Sequence, residues 1–91
     1  MIFKKVVIKE NKVKVTLGKN GIKIRTVTLE IGNEYVINPI STQVKKNRNR
    51  KVIYKGYESD RYGGIAKVQY VDTNRPGKVE LDYLDYINKE Y

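Results

Sequence analysis

Lys12-Val13-Lys14-Val15-Thr16-Leu17-Gly18-Lys19-Asn20-Gly21-Ile22-Lys23-Ile24-Arg25-Thr26-Val27-Thr28-Leu29-Glu30-Ile31 is the stretch whose pattern sets the fold class. Val13, Val15 and Leu17 alternate with Lys12, Lys14 and Thr16, the period of two that a half-buried strand produces. Asn20-Gly21 follows, two residues that tolerate positive φ and make the strongest short hairpin signal. A two-residue turn there pairs Lys19 with Ile22 and Leu17 with Ile24. Beyond it the apolar positions change parity to Val27, Leu29 and Ile31, and a bulge or bend near Arg25-Thr26 would restore one apolar face. A longer loop over Gly18 to Gly21 would set another register, and both stay open. Lys12, Lys14, Lys19 and Lys23 are expected to share one exposed region, where solubility and edge protection account for them.

Working outward, Ile2-Phe3-Lys4-Lys5-Val6-Val7-Ile8 is rich in β-branched residues and reads as a first strand, with a turn at Lys9-Glu10-Asn11. Gly32-Asn33 is a second turn, followed by a short strand from Glu34 to Asn38 that Pro39 ends by removing an N–H donor. Residues 39–51 form a long polar loop, and a loop of about a dozen residues in so small a domain is more often functional than most. Strands are expected at residues 52–57, 65–71 and 78–81, separated by polar, glycine-containing turns. Asp82-Tyr83-Leu84-Asp85-Tyr86-Ile87 fits one helical turn. No segment sustains a 3.6-residue period, so the chain is read as all-β.

Ninety-one residues bound the chain to one domain. It contains neither cysteine nor histidine, which removes thiolate nucleophiles, cysteine zinc sites, the commonest general base and the commonest zinc ligand. The chain is therefore read as non-enzymatic, with no cofactor and no metal. Glu80, Asp82 and Asp85 match no calcium-loop spacing and read as a charged rim. No run approaches the roughly 18 apolar residues of a membrane helix, and Met1-Ile2-Phe3-Lys4-Lys5 lacks the pattern of a signal peptide, so a cytoplasmic setting is expected.

The net charge of +9 is uneven: residues 1–31 carry +6, residues 32–57 carry +5 and residues 58–91 carry −2. Such asymmetry gives a basic face, the electrostatic footprint of a nucleic-acid binder. The densest cluster is Lys45, Lys46, Arg48, Arg50 and Lys51, interleaved by Asn47 and Asn49 and followed by the strand Val52-Ile53-Tyr54-Lys55-Gly56-Tyr57. These cations are expected to act as one exposed patch on phosphates. Tyr54, Tyr57 and Tyr62, the last beside Arg61, are candidates for stacking single-stranded bases. Tyr35, Tyr70, Tyr83 and Tyr86 are expected to pack as core or rim residues.

The order short strand, long loop, strand, turn, strand, tight turn, strand, helical turn over residues 32–87 resembles the SH3-like small barrel. The pattern Gly32-Asn33-Glu34-Tyr35-Val36, Lys46-Asn47-Arg48-Asn49-Arg50-Lys51-Val52, Gly56-Tyr57 and Ala66-Lys67-Val68-Gln69-Tyr70-Val71-Asp72-Thr73-Asn74-Arg75-Pro76-Gly77-Lys78-Val79 is similar to small bacterial and phage (mobile-element) proteins of that fold. It is also loosely similar to KOW-type nucleic-acid-binding domains. The resemblance implies an SH3-like barrel over residues 32–91, with residues 1–31 as an added N-terminal β-hairpin or meander. It implies a nucleic-acid partner, DNA or RNA. The alternative is a protein-binding module of phage or mobile-element origin acting on a host or ribosomal protein. The segment Asp82-Tyr83-Leu84-Asp85-Tyr86 is displaced from the place of the acidic-aromatic loop in peptide-binding SH3 domains, and there is no tryptophan, so proline-peptide binding is not expected.

Overall fold

The computed structural model describes residues 2–10, 12–41, 43–58 and 64–87. They form two antiparallel sheets. β1 (Ile2–Lys9), β2 (Lys12–Lys19) and β3 (Ile22–Glu30) make one sheet in that order. The second contains β4 (Glu34–Ile37), β5 (Lys51–Glu58), β6 (Ile65–Tyr70), β7 (Pro76–Glu80) and β8 (Leu84–Asp85), in the order β7-β6-β5-β4-β8. Among the described residues the one helical element is a 3-10 turn at Leu81–Tyr83, and no helix is long and apolar enough to cross a membrane. The helical turn read over residues 82–87 thus occupies Leu81–Tyr83, and the chain then returns to the sheet as β8, beside β4.

The hairpin closes at Asn20-Gly21, where both residues take positive φ (54° and 80°) and Lys19 pairs with Ile22. Gly18 pairs with Lys23 but Leu17 pairs with Arg25, which leaves Ile24 as the extra residue of a bulge. The bulge lies one residue before the expected Arg25-Thr26, so Leu17 faces Arg25 rather than Ile24. Its effect is the one the parity change requires. Val15 then pairs with Val27 and Val13 with Leu29, and all four are buried.

A single core joins the sheets. Val13, Val15, Val27 and Leu29 meet Tyr35, Ile37, Val52, Tyr54, Ala66, Val68, Leu81 and Leu84. Burying each larger aliphatic chain contributes about 1.5–3 kcal/mol, so this cluster is the main favourable term in folding. The sheets divide the chain at the turn between β3 and β4, while the core spans the division.

Polar contacts complete the junction where β3 meets the second sheet. The Thr28 N–H donates to the Tyr86 hydroxyl (2.9 Å) and the Glu30 N–H to the Tyr35 hydroxyl (2.8 Å), which in turn donates to the Thr28 carbonyl (3.0 Å). Two tyrosines thereby occupy main-chain groups that an edge strand would otherwise leave open. Tyr35 packs as a core residue and Tyr86 as a rim residue with its hydroxyl engaged.

Candidate nucleic-acid interface

The basic loop is built around its arginines rather than presenting them. Arg48 donates to the carbonyls of Val44 (Nε 3.1 Å, Nη2 2.8 Å) and Ser41 (2.6 Å) and to the side-chain oxygen of Asn38 (3.0 Å). Asn47 and Asn49, on either side of Arg48, adopt positive φ, 59° and 70°. Arg50 makes a two-point contact with Asp72 (2.9 and 3.3 Å), donates to the Asn47 side chain (2.8 Å) and lies 3.9 Å from the Tyr70 ring centroid. Its hydrogen bond holds the Asp72 carboxyl below the usual range. The five cations of the cluster are therefore not equivalent. A guanidinium fork matches convergent carbonyls and carboxylates, and both arginines are engaged by them. Lys45, Lys46 and Lys51 are exposed.

The candidate tyrosines differ in access. Tyr54 is 1 % exposed and meets Tyr35 edge to face, with ring centroids 6.4 Å apart. Burial raises its hydroxyl pKa to about 12. Contrary to the expectation from the sequence, Tyr54 cannot stack a base without leaving the core. The alternation with Ile53 holds, but Val52 and Tyr54 are the inward pair. Tyr57 is half-buried against the core, with its ring in the space that a side chain at Gly64 would occupy. Arg61 and Tyr62 lie outside the described residues.

The outer face of the first sheet is rich in lysine. Register places four rows across its three strands: Phe3-Gly18-Lys23, Lys5-Thr16-Thr26, Val7-Lys14-Thr28 and Lys9-Lys12-Glu30. Five of these twelve positions are lysine and one is a carboxylate, Glu30, 3.1 Å from Lys12. Thr26 donates to Thr16 (3.4 Å), and the Phe3 ring covers Gly18 so closely that a Cβ there would lie 2.2 Å from it. Val7, Lys9, Lys12, Lys14 and Thr28 line a shallow hollow at one end. Lys12, Lys14 and Lys23 do share a region, joined by Lys5 and Lys9, whereas Lys19 has the opposite parity at the hairpin end. The signal was present in the alternation of β1 and β2, but it acquires meaning only once their register is known.

The outer face of the second sheet is mixed, with Lys78 3.0 Å from Glu58. The acidic run near the C-terminus disperses: Asp85 binds Arg25 at 2.8 Å and Asp82 lies 3.8 Å from Lys4. No family model matches this chain, and neither does any curated protein or solved structure.

Proposed function

We propose that this protein is a non-enzymatic nucleic-acid-binding protein whose principal contact surface is the outer face of the β1-β2-β3 sheet. The observation that carries the reading is the four-row grid with five lysines against one carboxylate. Lysines act as compact point charges toward phosphate, and the half-buried Thr28 adds a hydroxyl beside Lys14. The face holds no arginine, asparagine or glutamine for base edges, which favours backbone binding without strong sequence preference. Lys45, Lys46 and Lys51 are a second group of exposed cations, on the loop and at the start of β5. An SH3-like barrel accompanies this reading, supported by the strand order β7-β6-β5-β4-β8 and by the 3-10 turn that leads into β8. A cytoplasmic setting is consistent with the cysteine-free composition.

The test is fluorescence anisotropy with short single- and double-stranded DNA and RNA across a salt series. Binding should weaken steeply with salt, and replacing Lys5, Lys14 and Lys23 together by Gln should make the log-log slope for duplex DNA shallower by about 2–3. Unchanged affinity in the triple variant would remove the sheet face from the reading. One observation favours the protein-binding alternative: Ile22 and Ile24, at the bulged hairpin tip, are 69 % and 51 % exposed. That interface would be far less salt-sensitive.

A further inference from the structure

We propose that two copies of this chain associate through β1, antiparallel and about a two-fold axis at Val6, to form a continuous six-stranded sheet. The inference does not depend on the nucleic-acid reading.

The direction of the main-chain groups identifies the open edge. The Thr28 N–H and C=O both point away from β2, since they bond the hydroxyls of Tyr86 and Tyr35. In an antiparallel ladder the sides alternate, so Val27 and Leu29 bond β2 through their partners Val15 and Val13. Lys14 and Thr16 then bond β1 through Val7 and Lys5. The main-chain groups of Val6 and Ile8 consequently point outward, along an edge eight residues long that pairs only with β2 among the described residues. The opposite edge of the sheet has its tyrosine caps. On β1, by contrast, Phe3, Val7 and Ile8 stand 37 %, 36 % and 52 % exposed.

The occupant follows from the charge pattern of β1. An axis at Val6 sets Phe3 opposite Lys9 of the second copy, Lys4 opposite Ile8, Lys5 opposite Val7, and Val6 opposite itself. Every lysine of the strand then stands opposite an apolar residue of the second copy, and Phe3 with Lys9 can make a cation–π pair. Moving the axis to Lys5 puts that lysine against itself. Moving it to Val7 puts Lys5 against Lys9. Like charges directly opposite are destabilising, so the two neighbouring registers are disfavoured and the Val6 register is selected. In this register Val6 and its copy form a hydrogen-bonded pair through their outward main-chain groups. Lysines that would guard this edge against a strand of other sequence are accommodated by a second copy of the same one.

Sedimentation equilibrium and single-cysteine crosslinking test the proposal. The wild type should approach twice the monomer mass with rising concentration. Ile8→Lys, which places a lysine opposite Lys4, should weaken self-association by about tenfold or more. Val6→Pro should do the same while keeping the monomer folded, because the N–H it removes is not used by β2. Should Val6→Pro lose its β-sheet circular dichroism, Ile8→Lys decides alone. The chain has no native cysteine. Val6→Cys should therefore oxidise to a linked dimer at least about tenfold faster than Val7→Cys, because a hydrogen-bonded pair holds Cα atoms about 5.5 Å apart, within disulfide range. A wild type that stays monomeric, including one whose β1 edge is taken by another strand, overturns the proposal. So does a Val6→Cys protein that crosslinks no faster than Val7→Cys.

Discussion

Arg25 on β3 and Asp85 on β8 form a 2.8 Å ion pair between the two sheets, with the Asp85 side chain 1 % exposed. The same guanidinium donates to the carbonyls of Asn38 and Asp82, both at 2.7 Å, and Asp85 also accepts from the Tyr86 N–H at 2.8 Å. Asn38 passes the connection on to Arg48 and so to the loop. One buried charge pair therefore links the bulged hairpin, the end of β4, β8 and the basic loop.

Removing one member should cost far more than removing both. Arg25→Ala leaves the Asp85 carboxylate buried without its charge partner, and a loss of about 3–5 kcal/mol is expected in urea denaturation. The double variant Arg25→Met, Asp85→Leu should recover part of that loss. Equal effects from the single and double variants would mean that the pair contributes little to the junction.

Arg48 and the loop lysines should separate cleanly. Arg48→Ala releases the carbonyls of Ser41 and Val44 and the Asn38 side chain, at a cost of about 2 kcal/mol. Lys45→Ala and Lys46→Ala, at exposed positions, should stay within about 0.5 kcal/mol of wild type. Thermal melts of the three variants provide the comparison, with any binding change from the lysines then attributable to lost charge.

At Gly21 the expected cost comes from the backbone alone. Its φ is 80° and a Cβ at this position would meet nothing within 4 Å, so steric crowding is absent. Gly21→Val should destabilise by about 1–3 kcal/mol, and Gly21→Asn by clearly less. A thermal melt in which the two substitutions behave alike would contradict this turn geometry.

Tyr54 makes the protein sensitive to alkali. Burial first, then the neighbouring Tyr35 and Tyr57, raise its pKa from the ordinary value of 10.0 to about 12. The folded state thus retains a proton that the unfolded chain releases. The associated stability is fully present below pH 10 and is lost as pH rises toward 12. Burial also raises Tyr35, which adds in the same direction. Tyr54→Phe should narrow the difference in melting temperature between pH 9 and pH 11, with tyrosinate absorbance following the unfolding of the wild type.

The sequence by itself determined the all-β character, a turn around Asn20-Gly21 and the change of apolar parity after it. Each rests on local chemistry: a period of two, tolerance of positive φ, and the order of apolar residues within one hairpin. The choice between a two-residue turn with a bulge and a longer loop was made by the pairing of β2 with β3. Tertiary structure alone decided which side of each alternation was buried. Ile53 and Tyr54 necessarily face opposite ways, but only packing against Tyr35 and the first sheet sends Tyr54 inward. It also decided which cations remain available. Asp72 is 22 residues beyond Arg50 and reaches it only because β5 and β6 pair; Arg48 finds its acceptors only when the loop folds back on itself. The five lysines of the outer face come from three strands, and register brings them together. Alternation is a property of neighbours along the chain, whereas burial, ion pairing and surface charge density depend on residues that only the fold makes neighbours.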